Sequence, residues 1–144
     1  MIWIIMETDE KCIIAIDPGR EKCGVAVLTV NRRTLVQKTV SAGKLAAVLK
    51  ALEIRYQITV FALGSGTTGK MTKKMLEEEF PSMKVVVVDE YRTTDEARKR
   101  YWQENPPKGL LRFIPSGMLV PPVPVDDFAA VVIGEKYLTH MKNL

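Results

Sequence analysis

Cysteine and histidine are scarce in this chain, with two of the first and one of the second. Two cysteines cannot build a cystine framework or a four-cysteine zinc site. Cys23 has no histidine nearby in sequence to activate it, so it reads as a small packing residue rather than a nucleophile. His140 reads as a solvent-facing helix residue near the end of the chain. Long apolar runs are missing too: the longest, such as 128–134, fall far short of the roughly 18 residues of a membrane span. The apolar start at 1–6 is too short for a secretory signal and runs into Glu7, Asp9 and Glu10 without a basic front. There is no internal repeat and no low-complexity tract. Neither sign of charge dominates, with 21 basic against 17 acidic residues and a net charge of +4, compatible with a polyanionic partner without demanding one. Together these absences predict a cytoplasmic, soluble chain that does not engage a membrane.

What remains is a globular balance. The chain has 144 residues, which at roughly 100–200 residues per domain predicts one domain over 1–144. Apolar residues make up 47% and charged ones 26%, which argues against disorder, collagen and coiled coil. A chain of this size buries roughly two-thirds of its unfolded surface, so it needs no disulfide or metal staple.

Residues 12–16 form a β-branched apolar run ending at Asp17, followed by the turn pair Pro18-Gly19 and a second apolar run at 23–30. This reads as a hairpin; a turn centred near Arg20 would set Asp17 opposite Cys23 and Cys12 opposite Leu28. The two cysteines are then too far apart to bridge. A third strand is expected over 35–40, after the turn Asn31-Arg32-Arg33. From Ser41 the period changes: Leu45, Val48, Leu49 and Leu52 recur at helical spacing behind a Ser41 cap, up to about Tyr56. A short strand at 58–63 leads into a glycine-rich loop at 64–69 and a helix at 70–80 that Pro81 stops. Residues 84–88 carry four consecutive valines, the pattern of a parallel strand covered on both faces. Thr93-Thr94-Asp95-Glu96 is a capping box opening a helix to about Asn105. A last helix is expected over 126–141, with Phe128, Val131, Val132 and Leu138 at apolar spacing. Between the two lies 106–125, with six of the eight prolines and no periodicity, a surface loop or a substrate-facing flap.

The acids cluster at element boundaries. Asp17 ends the first strand, Asp89 and Glu90 end the valine strand, and Asp126 and Asp127 start the last helix. If the first strand is central and the valine strand lies two places away, all three positions converge on one edge of the sheet. Carboxylates gathered there repel one another, and burying them is costly unless a cation neutralises the charge. Hard oxygen ligands suit Mg²⁺ or Mn²⁺. Each acid also has an ordinary reading: Asp17 as a turn former, Asp126 or Asp127 as a helix cap, Glu90 as a solvated loop charge. All five falling at strand ends or a helix start favours the joint reading.

Three phrases carry a resemblance. Ile14-Ala15-Ile16-Asp17-Pro18-Gly19 with Cys23-Gly24-Val25-Ala26-Val27 resembles the opening hairpin of the YqgF family and its relative, the RuvC resolvase. Val88-Asp89-Glu90-Tyr91-Arg92-Thr93-Thr94-Asp95-Glu96-Ala97 resembles that family's middle segment, and Val125-Asp126-Asp127-Phe128-Ala129-Ala130-Val131-Val132-Ile133 its closing helix. The order β-β-β-α-β-α-β-α-loop-α is likewise that of a ribonuclease H-like α/β fold: a mixed five-stranded sheet, three antiparallel strands and then two parallel ones, with helices on both faces. The resemblance implies a metal-dependent nuclease hydrolysing phosphodiester bonds in structured or branched RNA or DNA, as in pre-ribosomal RNA processing or Holliday junction resolution. It implies Asp17, Glu90 and Asp126 as catalytic metal ligands, with Asp127 as fallback, and Mg²⁺ or Mn²⁺ as cofactor. Arg92 would touch a phosphate or transition-state charge. A homodimer is implied as well, since resolvase relatives pair to cut two strands. Where the resolvase would carry an acid after the fourth strand, this chain has Gly64-Ser65.

Two alternatives stand beside this. One is a catalytically silent nucleic-acid-binding module on the same fold. The other rests on Gly64-Ser65-Gly66-Thr67-Thr68-Gly69, which follows a strand and opens a helix, with Asp89 twenty residues after Gly69. That matches a dinucleotide-binding fingerprint locally, through Gly64, Gly66 and Gly69. In the usual dinucleotide fold, however, such a unit opens the chain. A P-loop fails because Met71 stands where a Ser or Thr must bind magnesium. Under the nuclease reading, Thr67, Thr68 and Lys70 would hold a nucleic-acid phosphate at the helix start, and Arg20 and Lys22, beside Asp17, would contact the backbone. Lys73 and Lys74 precede Glu77 and Glu78 at ion-pair spacing and read as a solvated face. Tyr101 and Trp102 read as core or partner contacts.

Overall fold

The strands buried on both faces occupy the middle of the sheet. The computed structural model describes residues 8–66, 68–90, 93–115, 119, 121 and 126–142, apart from the side chains at 93, 94 and 142. Strands β1 (Lys11–Asp17), β2 (Lys22–Thr29) and β3 (Thr34–Ser41) are followed by helix α1 (Leu45–Arg55), strand β4 (Gln57–Gly64), helix α2 (Gly69–Glu79), strand β5 (Lys84–Val88) and helices α3 (Thr93–Glu104) and α4 (Asp126–Lys142). The sheet order is β3-β2-β1-β4-β5; β1, β2 and β3 pair antiparallel, and β4 lies parallel to both β1 and β5. This is the expected mixed five-stranded sheet, with β1 central and the valine strand two places away.

Period-two alternation along β1 divides the core. Cys12, Ile14 and Ile16 face one side, where Leu45, Leu49 and Leu52 of α1 pack with Leu76 of α2 and Phe80. Ile13 and Ala15 face the other, where α4 lays down Ala130, Val131, Ile133, Tyr137 and Leu138. Helix α3 packs outside α4, with Ala97 against Phe128 and Ala129, and Tyr101 edge-on to Phe128 at 5.8 Å between ring centroids. Helices therefore cover both faces. Among the described residues, no helix is long and apolar enough to cross a membrane.

Four expectations are corrected. Asp17 pairs with Gly24, not Cys23, and Cys12 with Thr29, not Leu28. Both faces of β2 are buried, so hydrophobic alternation carried no register information there. The two cysteines are free, as expected. Ser41 makes no side-chain cap; it is still paired with Lys22 in the sheet, and a short 3-10 helix, Ala42–Lys44, intervenes before α1. The valine strand β5 is an edge strand only partly covered on its two faces: Val86 and Val88 pack toward α4 and Val85 toward the core under α1 and α2, while Val87 is 48% exposed. β-Branched residues suit any pleated, half-buried strand, so four valines did not require a cover on each side. Finally, 106–125 is not wholly irregular, because Gly109–Phe113 forms a 3-10 helix.

Phe61 of β4 is fully buried and meets Phe80 edge-to-face at 5.1 Å, tying the sheet to the end of α2. Phe61→Ala is expected to cost about 3–5 kcal/mol of unfolding free energy in urea titration. A loss under about 1 kcal/mol would show that the face covered by α1 and α2 does not depend on this ring.

Candidate functional site

Asp17 occupies the last position of the central strand, on the α4 face shared by Ile13 and Ala15. Its neighbour across the antiparallel ladder is Gly24. On the parallel side, Ile16 pairs with Leu63, which brings Gly64 next in line beside Asp17. The carboxylate is thus flanked on its own face by two residues without side chains, and each gap is filled. A Cβ on Gly24 would lie 1.8 Å from the carbonyl oxygen of Asp126; one on Gly64 would lie 2.1 Å from Glu90 Oε1 and 2.8 Å from Ile133 Cδ1. Gly24 admits the first turn of α4, and Gly64 admits the Glu90 carboxyl.

Glu90 lies just past β5, outside the sheet ladder, and is held locally. Its backbone N–H donates to Ser65 Oγ at 3.2 Å, and the Ser65 N–H donates to the carbonyl of Val88 at 3.0 Å. A Cβ on Gly66 would come within 2.7 Å of Glu90 Oε2. The segment Gly64-Ser65-Gly66 is therefore a cradle for a carboxylate. This weighs against the dinucleotide reading, since the space near Gly64 and Gly66 is already filled by the Glu90 carboxyl.

The electrostatics follow from the crowding. The Asp17 carboxyl is pushed up from its ordinary 3.8 to about 8, first by burial, then by a hydrogen bond and charge from Glu90, and by the charge of Asp126. Among the described residues, no group is placed to donate to the buried Glu90 Oε1 unless Asp17 carries a proton. Two ionised carboxylates cannot hydrogen-bond each other, so the bond between them exists only while Asp17 keeps a proton. Asp126 is raised as well, by burial and then by Asp127, with Lys22 opposing. Burial also pushes the Cys23 thiol up, which fits a packing residue.

Asp17 and Glu90 come together, and Asp126 lies close enough to act on Asp17. Among the described residues, no three His, Cys, Asp or Glu side chains already form a metal-ligand set. Asp127 turns toward β3, where Gln37 Nε2 donates to its Oδ2 at 3.3 Å; Asp126 is the acid of the pair that acts on Asp17. Asp89 is exposed. Arg20 and Lys22 are exposed around the β1–β2 turn, and Lys22 acts on Asp126. Lys70 is exposed at the start of α2, while Thr68 Oγ1 is buried without a partner among the described residues. Thr67 and Arg92 lie outside the described residues. Lys73 pairs with Glu77 at 3.6 Å on a solvated face, as expected. Gly24, Ser65 and Gln37 were missed as site residues, and Gly64 and Gly66, read as a nucleotide-binding loop, instead make room for Glu90; the available signal was small residues flanking an acid at strand-register positions.

A curated protein of onion yellows phytoplasma (strain OY-M), named "Putative pre-16S rRNA nuclease", is 25% identical over 154 residues, spanning 96% of this chain and 95% of that protein. The resemblance to the YqgF family holds. The fold agrees: the structure of T. thermophilus RuvC in complex with Holliday junction substrate matches with a TM-score of 0.53 at 15% identity, covering 90% of this chain and 96% of that one. No protein-family model matches the chain. The chain thus shares the RuvC-like, ribonuclease H-like fold, with Asp17 at the end of its central strand.

A folded state that holds the Asp17 proton to about pH 8, against 3.8 when unfolded, binds more protons than the unfolded chain across that window. In chelator-treated protein, stability is therefore expected to fall as pH rises from about 4 to about 8, by at most about 1.4 kcal/mol per unit, and then to level off. Asp17→Asn should flatten this slope in thermal melts. An unchanged slope in the variant would show that Asp17 ionises freely in the fold.

Proposed function

We propose that the chain is a nuclease dependent on a divalent cation, hydrolysing phosphodiester bonds in structured RNA or DNA. The observation carrying this reading is the crowding of Asp17, Glu90 and Asp126 at one sheet edge, so severe that Asp17 keeps its proton near neutral pH. The donor set fits a hard cation: oxygen-only and anionic, with the buried Glu90 Oε1 lacking a hydrogen-bond partner among the described residues once Asp17 is ionised. Asp17, Glu90 and Asp126 would hold Mg²⁺ or Mn²⁺, with Asp127 kept on Gln37. When bound, such an ion neutralises these carboxylates and supplies Lewis-acid stabilisation at the phosphorus centre.

The chain's own residues contribute placement and charge. Loss of the Asp17 proton turns the Asp17–Glu90 pair from a hydrogen bond into two anionic donors facing one space. Arg20 and Lys22, exposed on the hairpin turn beside Asp17, would take the phosphate backbone on one side, and Lys70 on the other. Arg92 belongs to the same proposal as a phosphate contact. The protein thereby supplies geometry and electrostatics without a covalent intermediate. The names of the relatives point to a ribosomal RNA precursor or a branched DNA as substrate classes, and both belong in the test.

Purified protein is expected to cut a structured RNA hairpin or a four-way DNA junction with Mn²⁺ or Mg²⁺ and to stop on chelation. Asp17→Asn should lower the rate by at least about a thousandfold while its circular dichroism stays native, in line with loss of an electrostatic group worth several kcal/mol. Full activity in that variant overturns the assignment, and binding without any turnover in the wild type favours the silent module. Gly64→Ala should displace the Glu90 carboxyl, weakening Mn²⁺ binding in calorimetry by about tenfold, a change of about 1.4 kcal/mol. Unchanged Mn²⁺ affinity would place Glu90 outside the ligand set.

A further inference from the structure

The 3-10 helix Gly109–Phe113 exposes apolar residues where a monomeric surface would hide them. Leu110 is 84% exposed, Phe113 72%, Leu111 48% and Ile114 38%. Four large hydrophobics within five residues form a contiguous patch, and such a patch marks an interaction surface. Its charge narrows the partner. Lys108 and Arg112 stand among these residues, and from Asn105 to Val125 the sequence holds no acid. The Arg112 guanidinium lies 4.9 Å from the centre of the exposed Phe113 ring, a planar cation beside a planar aromatic. Cationic and aromatic groups together, without anions, complement a polyanion that also offers flat apolar faces. Unpaired bases on a phosphate backbone have that chemistry.

We propose that Phe113, with Arg112 beside it, is a stacking platform for an unpaired base of the nucleic acid, and that Lys108 takes a neighbouring phosphate. This rests on the nuclease reading only for the identity of the partner. The platform holds single-stranded or looped parts of the substrate, and so favours substrates that carry unpaired bases next to a helix.

The test is binding, measured by fluorescence anisotropy with chelator present so that no cleavage occurs. The probes are an RNA hairpin with a purine-rich loop, a four-way DNA junction and a fully paired duplex. Phe113→Ala should weaken binding of the looped RNA by about fivefold or more, the loss expected for one stacked base, and change duplex binding less than twofold. Phe113→Trp should restore the looped-RNA affinity, which a merely structural role would not predict. Equal affinity of Phe113→Ala and wild type for all three probes overturns the platform. If the wild type binds and cleaves normally in that case, the nuclease reading survives; if it binds no nucleic acid at all, both fall. Binding of wild type, but not Phe113→Ala, to vesicles of anionic phospholipid would assign the patch to a membrane surface instead. A dimer that Phe113→Ala dissociates in sedimentation would assign it to a second copy of the chain. Either of those outcomes overturns the proposal.

Discussion

Like charges brought together at the end of a central strand are the constraint around which this fold is arranged. Nothing in hydrophobic collapse favours placing Asp17 where Glu90 and Asp126 can reach it, and the cost appears in the retained Asp17 proton. The architecture tolerates the arrangement because the two positions flanking Asp17 on its own face carry no side chain. Any residue larger than glycine at position 24 would collide with the backbone of α4, and at position 64 with Glu90 and Ile133. The two glycines are thus steric complements of the acids. Their absence of side chain decides how closely the charges approach.

Much of this was legible in the sequence, for reasons that differ by element. The mixed sheet followed from apolar runs and turn chemistry, while the central place of β1 entered only as a condition, which the strand order meets. The acids could be read because each falls where an element starts or stops. The hairpin register could not, since β1 and β2 are buried on both faces and alternation says nothing when every position is apolar. The edge position of β5 was hidden because β-branched residues suit central and edge strands alike. The glycine-rich loop was legible as a motif but ambiguous in meaning. A glycine leaves room, and only the fold shows that Glu90 fills it.

The choice between Asp126 and Asp127 shows the same division. Adjacent residues at a helix start point about 100° apart, so only one can face a given neighbour. Which one does so is set by how α4 lies on the sheet, through Ala130, Val131 and Ile133 against β1, β2 and β4. That packing turns Asp126 toward Asp17 and leaves Asp127 to Gln37 on β3. A hydrophobic contact several residues along the helix thereby selects which carboxylate joins Asp17 in the cluster.

The three acids are not held with equal firmness. Asp17 belongs to a strand paired on both sides, and Asp126 to a helix whose apolar residues are buried across the sheet. Glu90 follows an edge strand that has one neighbour and a half-exposed valine, so the core does little to place it. Its position depends instead on the Ser65 hydroxyl and on the walls formed by Gly64 and Gly66. Local openings of a protein start where burial is least, so the Glu90 side of the cluster should yield before the Asp17 side. The repulsion among the carboxylates pushes in the same direction, because displacing Glu90 relieves it at the smallest loss of packing. A cation bound between them would reverse that balance and fasten the edge of the sheet to its centre.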